Sequence, residues 1–185
     1  ANVDSLVQRR APLTAAIARA TAKALQQHPA FNGQLVGNGF AACADVHLGI
    51  AVATPDGLVT AVVRNAERSS VTELNDAIGK LAADARSGRL DGARTLGATF
   101  TISSLGRWDV DAFAPIIAAP QVAILGIGRV DRVARETPAG GVRFVSEIRL
   151  TLVFDHRAND GVQAAQLLAA IVKNIESPDV MEEKA

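Results

Sequence analysis

Aromatic side chains are scarce in this sequence, 4% of 185 residues with a single tryptophan. There is one cysteine, Cys43, and basic and acidic residues balance to a formal net charge of zero. Each shortage excludes something. One cysteine can form neither an internal disulfide nor a thiolate zinc cluster, which fits a reducing compartment. A chain without net charge offers no electrostatic handle for nucleic acid or for an anionic membrane, so neither partner is expected. Long apolar runs are also missing. The longest uncharged stretch, Ala112 to Gly128, is interrupted by Pro115, Pro120 and Gln121, and it falls short of the roughly twenty residues a spanning helix needs. The start, ANVDSLVQRRAPL, has no apolar core of signal-peptide length. The expectation is a cytoplasmic protein.

What is present suits one sizeable core: 49% of the residues are apolar, much of that alanine. A helix is predicted from about Pro12, with Leu13, Ile17, Ala20 and Ala24 on one face and His28-Pro29 as its stop. Strands follow, broken by glycines and by the turn Pro55 to Gly57. The clearest helix starts at a capping box, Ser70 to Glu73. Its apolar stripe is Val71, Leu74, Ile78, Leu81 and Ala85, and Gly88 ends it. GATFTISSLG alternates over a short strand. Two long strands flank TPAGG, Thr137 to Gly141, a hairpin turn by composition. The proline-interrupted run reads as a loop feeding a buried strand. A last helix carries Ala164, Leu168, Ile171 and Ile175 at helical spacing, and the tail from Asp179 to Ala185 reads as loose. Helices mixed with mainly antiparallel strands predict an α/β two-layer sandwich in one domain.

Three histidines are the candidates for chemistry. His28 lies at a helix C-terminus, where the helix dipole suits it without any catalytic role. His47 at the start of a strand reads as a half-buried polar residue. No two histidines are near in sequence, and no Cys or carboxylate spacing supports a metal site, so no metal is expected. His156 differs. It sits in DHRAND between a strand and a helix, where the flanking elements can aim its side chain. Asp160 or Asn159 can cap the helix that starts at Gly161. Asp155 and Arg157 flank the histidine, either as an ion pair that orders the loop or as solvated charges. The string also reads simply as one polar turn before a well-capped helix.

FDHRANDG, Phe154 to Gly161, resembles the histidine motif of the catalytic domain of dihydrolipoyl acyltransferases from 2-oxo acid dehydrogenase complexes, within the chloramphenicol acetyltransferase-like superfamily. Four further segments resemble that family in its order: HPAFNGQL, GIAVATPDGLVTAVVRNAE, GATFTISSLG and FAPIIAAPQVAILGIGRV. The likeness runs from about Pro12 to Glu176. Asn159 departs from it, standing where a small apolar residue is usual. The resemblance implies one catalytic domain over residues 1–185 that lacks several tens of residues of the family's usual start, with VDSL as a remnant, and that carries no lipoyl domain.

The implied reaction moves an acyl group between the thiols of dihydrolipoamide and coenzyme A. Acetyl or branched-chain acyl is expected ahead of succinyl. Coenzyme A is then a substrate, the lipoyl group rides on a separate domain, and no metal takes part. A thiol with a pKa near roughly 8.5 needs a base, and an unperturbed imidazole, near about 6.5, is largely neutral at pH 7 and can serve. By resemblance His156 is that base, Ser103 donates to the tetrahedral oxyanion, and Asp160 shapes the loop by hydrogen bonding. Ser104 competes with Ser103, because one step along a strand reverses the side chain. Cys43 reads as a buried small residue. The implied partners are a lipoyl domain, the decarboxylase and dihydrolipoamide dehydrogenase components, and further copies of this chain in a homotrimer or larger cage with shared active sites. Two rival functions are a free-standing coenzyme A-dependent acyltransferase on a small acceptor and a non-catalytic core scaffold. The TFTIS and PIIAAPQVAILGIG segments disfavour the first, and retention of His156, Ser103 and Asp160 disfavours the second.

Overall fold

The computed structural model of the chain describes residues 1–37, 39–177 and 179. The tail expected to be loose lies outside them apart from Asp179. Among the described residues, four α-helices, α1 (Asp4–Gln8), α2 (Leu13–Gln27), α3 (Val71–Arg86) and α4 (Gly161–Glu176), accompany seven strands. These are β1 (Gly33–Val36), β2 (Gly39–Ala42), β3 (Leu48–Thr54), β4 (Gly57–Val63), β5 (Phe100–Ser104), β6 (Ala123–Glu136) and β7 (Val142–Phe154). β1 and β2 form a small hairpin, and the other five make one sheet in the order β4-β3-β5-β6-β7. The two long pairings, β3 with β4 and β6 with β7, are antiparallel. The two short ones, β3 with β5 and β5 with β6, are parallel. Among the described residues no helix is long and apolar enough to cross a membrane.

The helix stripes face the sheet as the 3.6-residue period requires. On α2, Ile17, Ala20 and Ala24 are buried and Leu13 packs at the margin. On α3, Val71, Leu74, Leu81 and Ala85 are buried. Both halves of its capping box form: Ser70 Oγ accepts from Glu73 N at 3.2 Å, and Glu73 Oε2 accepts from Ser70 N at 2.8 Å. On α4, Ala164, Ile171 and Ile175 are buried as expected, but Leu167 takes the place of Leu168, which is only partly covered. These helices share one core with Leu48, Ile50, Phe100, Ile102, Leu125 and Ile127 of the sheet, which makes the two-layer sandwich.

β5 does not alternate as its sequence suggests. Phe100, Thr101 and Ile102 are all buried, because the face away from the helices is covered as well. There Thr101 Oγ1 donates to Gln121 Oε1 at 2.7 Å, at the end of the loop that precedes β6. The same loop lies across β6. A Cβ at Gly128 would meet the Asp111 carbonyl, and one at Gly126 would meet Pro115. Beyond Gly128, β6 and β7 run past the sheet as a hairpin whose turn, Thr137 to Gly141, has Gly140 at φ +78°.

The N-terminal residues are tied down. Val3 N donates to Ser146 O and Ile148 N to Ala1 O, at 2.8 and 2.9 Å. Asp4 Oδ1 accepts from Ser146 N at 2.6 Å, and that bond holds the Asp4 carboxyl below its usual range. Val3 and Leu6 are buried against β7 and α2. The phase of α4 is directly testable. Leu167→Ala should cost about 2–5 kcal/mol, the range for emptying a buried leucine site, and Leu168→Ala well under that; urea denaturation of the two variants side by side reads the difference.

Candidate active site

The turn after β7 begins inside the sheet. Asp155 N donates to Val122 O at 2.8 Å, one step beyond the last pair of the β6–β7 ladder, Ala123 with Phe154. The Asp155 side chain then turns the chain. Its carboxylate accepts from Arg157 N at 2.9 Å and from the Arg157 guanidinium at 2.6 Å. Its carbonyl accepts from Ala158 N and Asn159 N at 3.0 and 3.2 Å. This is an Asx turn reinforced by an ion pair, so the flanking charges order the loop. The Arg157 hydrogen bonds pull the Asp155 carboxyl down to about 2. A depressed carboxylate contributes its stabilisation fully above the ordinary value of 3.8 and loses it as pH falls toward about 2. The turn therefore keeps its shape throughout the range in which imidazoles titrate.

His156 stands exposed at the tip of this turn. Its ring rests against Phe154 with centroids 4.7 Å apart, and Phe154 meets Phe31 edge-on at 6.3 Å. Among the described residues nothing hydrogen-bonds its ring nitrogens, which leaves both open to a substrate.

Of the two capping choices, Asp160 is the one used. Its Oδ1 accepts from Gln163 N at 2.9 Å, and Gln163 Oε1 accepts from Asp160 N at 3.3 Å. Asn159 is instead buried, 5% exposed, with Nδ2 donating to Ala30 O at 2.9 Å. Ala30 belongs to a single helical turn, Pro29–Phe31, fixed by the buried Asn32 that follows it. Asn32 Nδ2 donates to Cys43 O and Asp45 O, and its Oδ1 accepts from Thr99 Oγ1. Nothing in the spacing of DHRANDG distinguishes a buried asparagine from a capping one. Only the fold around it does.

Ser103 and Ser104 end β5 and project to opposite faces of the sheet, Ser104 to the face that carries Ile102. Both line the rim of a cavity of about 680 Å³ at the C-terminal end of β5. Its floor is apolar, Ile50, Val52 and Ile127 among it, and Arg86 and Arg107 stand on its edge. No motif or spacing points to this cavity. Its walls come from α2, α3 and four strands, β3 to β6, which meet only in the fold.

Within one chain His156 and Ser103 are far apart. Ser103 pairs with Gly126, and Gly126 with Thr151. His156 lies five residues beyond Thr151, past the N-terminal end of β5, and two strands to the side. At about 3.3 Å per residue and about 4.8 Å per strand, the separation is roughly 19 Å. One chain does not bring the two side chains to one substrate.

The remaining candidates have local roles. His47 Nδ1 accepts from Asn65 N at 3.2 Å, a structural bond that suits its half-buried place. His28 is the C-terminal cap of α2. Cys43, expected to be buried, is half-exposed just past β2, because the pairing of its backbone with Asn32, not the packing of its side chain, places it. Among the described residues no group of three His, Cys, Asp or Glu side chains could hold a metal ion.

Against known proteins, residues 3–182 match the family model described as 2-oxoacid dehydrogenases acyltransferase (catalytic domain). A dihydrolipoyllysine-residue acetyltransferase component of the acetoin cleaving system of Bacillus subtilis is 40% identical over 169 residues, which cover 90% of this chain and 42% of that protein. The chain thus spans about two fifths of the length of the curated relatives it matches first. The solved dihydrolipoamide acetyltransferase of Azotobacter vinelandii superposes with a TM-score of 0.92 at 31% identity, covering 98% of this chain and 80% of that one. The cubic core of a pyruvate dehydrogenase multienzyme complex superposes with a TM-score of 0.89, also at 31% identity, and covers the same shares. Chloramphenicol acetyltransferase, at 12% identity and a TM-score of 0.56, shares the fold. The histidine turn, the strand order and these matches agree, and the chain belongs to the family of 2-oxoacid dehydrogenase acyltransferase catalytic domains.

Proposed function

We propose that this chain transfers an acyl group between dihydrolipoamide and coenzyme A, with His156 as the general base. One observation carries the reading: in a chain of this family, a turn built by Asp155 and capped by Asp160 presents an otherwise unengaged imidazole to solvent. In the Azotobacter vinelandii enzyme a serine, a histidine and an asparagine were investigated for their role in the catalytic mechanism. The histidine and asparagine there have the spacing of His156 and Asp160. The serine lies within one residue of the separation that Ser103 and Ser104 keep from His156.

The chemistry balances on these groups. His156 takes the proton of the coenzyme A thiol as its sulfur attacks the thioester carbonyl of S-acyl-dihydrolipoamide. The carbonyl oxygen becomes an oxyanion and accepts a hydrogen bond from the Ser103 hydroxyl. The intermediate collapses, the carbon–sulfur bond to dihydrolipoamide breaks, and the departing thiolate takes the proton back from His156. Acyl-coenzyme A and dihydrolipoamide leave, and no acyl-enzyme forms. Acetyl is the acyl group we favour, ahead of branched-chain and succinyl, because the relatives of known role are acetyltransferase components of acetoin and pyruvate systems. The lipoyl group arrives on a separate lipoyl domain, and decarboxylase and dihydrolipoamide dehydrogenase components complete the system.

The separation of roughly 19 Å between Ser103 and His156 along the sheet favours a site completed by a second copy of the chain in a closed head-to-tail assembly, with a trimer as the smallest form. A free-standing enzyme acting on a small acceptor and a scaffold without activity are the rival readings. Transfer assays with dihydrolipoamide, with small amine or alcohol acceptors, and with no acceptor separate them.

His156→Ala should lose two to four powers of ten in transfer rate, the usual worth of a general base, with folding and assembly unchanged. The assay uses dihydrolipoamide with acetyl-coenzyme A, which should outrun isobutyryl- and succinyl-coenzyme A. A variant within a few-fold of the parent would remove His156 from the mechanism.

Asp160 acts as a cap, and asparagine caps a helix as well as aspartate does. Asp160→Asn should therefore keep most of the activity. Asp160→Ala should lose about 1 kcal/mol of stability together with much of the rate. Equal and severe losses in both variants would assign the role to the charge.

A shared site makes the two lesions complementary. When His156→Ala and Ser103→Ala chains are unfolded, mixed equally and refolded, about a quarter of the sites should combine an intact histidine with an intact serine. The serine variant alone should retain only about one part in a hundred to a thousand. Co-assembly confirmed by size, with no recovery of rate, would place each site within one chain.

A further inference from the structure

We propose that Asn159 is a positioning residue for His156, a role that rests on the acyltransfer reading above. Besides the Asp155 carbonyl bonds within the turn and the Asp160 cap after it, three ties hold the histidine turn. Asp155 N binds Val122 O, and the Asp155 carboxylate binds Arg157. Asn159 Nδ2 binds Ala30 O. The first two act at or before the ring. The third alone fixes the chain beyond it with a side chain anchored in another part of the fold. Its anchor is also the anchor of the ring itself. Ala30 precedes Phe31, Phe31 packs on Phe154, and Phe154 packs on His156. The turn Pro29–Phe31 thus grips the histidine loop twice, once through the aromatic stack and once through Asn159. That turn is in turn locked by the Asn32 bonds to Cys43, Asp45 and Thr99.

Stability does not account for an asparagine here. Nδ2 gains one hydrogen bond, but Oδ1 is buried with no partner among the described residues. A leucine would give up that bond and leave the Ala30 carbonyl unpaired, but it would also remove the buried, unpaired Oδ1, and a buried acceptor left unpaired costs about as much as one hydrogen bond returns, so the exchange is close to neutral. What Asn159 supplies and a leucine does not is a directed bond that fixes the turn against Ala30. Loss of that bond would remove the tie that holds the chain after His156 to Ala30. A misplacement of about 1 Å can lower a rate by a factor of 10².

The test is Asn159→Leu, with Asn159→Ala as the smaller variant should leucine crowd the site, each compared with the parent chain in the assembled protein. The expected result is a thermal midpoint close to the parent's. It goes with a kcat lower by roughly 10- to 100-fold and KM values for coenzyme A and dihydrolipoamide within about twofold, since Asn159 is buried. Crystal structures of the parent and of the variant should show the His156 ring packed on Phe154 in the first and displaced from it in the second. A kcat within twofold with the ring in place overturns the proposal, as does a loss of kcat that follows a matching fall in the thermal midpoint. If the parent chain itself shows no transfer, the acyltransferase reading fails, and the ring position in the two crystal structures still decides whether Asn159 positions the imidazole.

Discussion

The pairing of β6 with β5 on one side and β7 on the other sets the position of everything chemical in this chain. Parallel pairing brings Ser103 level with Gly126, and antiparallel pairing brings Gly126 level with Thr151. Since β7 runs against β5, the turn that leaves β7 emerges at the end of the sheet where β5 begins. The serine emerges at the end where β5 stops. A shift of one residue in either ladder would turn each side chain to the opposite face of the sheet. The register is held by burial on both faces: the helices cover one, and the loop ending at Gln121 covers the other. The short Thr101–Gln121 bond and the glycines under that loop show how closely the second layer sits.

This geometry gives the separation of His156 and Ser103 a physical cause. One parallel and one antiparallel pairing leave β5 and β7, two strands apart, ending at opposite edges of the sheet, and no side chain is long enough to bridge them. Under the proposed function, a second copy of the chain would bring the two edges together.

The histidine turn shows a second economy. Asp155 serves as the turn former and as the ion-pair partner of Arg157, and Asp160 closes the helix. Both carboxylates are engaged with the backbone or with a guanidinium, which leaves His156 packed on Phe154 but unencumbered by hydrogen bonds. Rigidity comes from the surrounding groups, as a functional site on a loop requires.

Much of this protein was legible before folding. The capping box at Ser70 and Glu73, the stripes of α2 and α3, the turn at Pro55 to Gly57 and the hairpin at Thr137 to Gly141 depend on local periodicity and turn chemistry, which neighbouring residues determine by themselves. The string around His156 was legible as a polar turn before a capped helix and, by resemblance, as a family motif, while the structure decided that its flanking charges pair. The burial of Leu167 over Leu168 and the loss of alternation in β5 were not, because they depend on what packs from elsewhere. The opposite fates of Asn159 and Asp160 belong with them. Two adjacent polar residues with similar capping ability differ only because one side chain reaches Ala30, 129 positions away in sequence. The sequence by itself determined which elements form and which imidazole is presented. The tertiary structure alone decided which asparagine is buried, where the cavity opens and how far the serine lies from the histidine, since each is set by contacts between segments that no local pattern encodes.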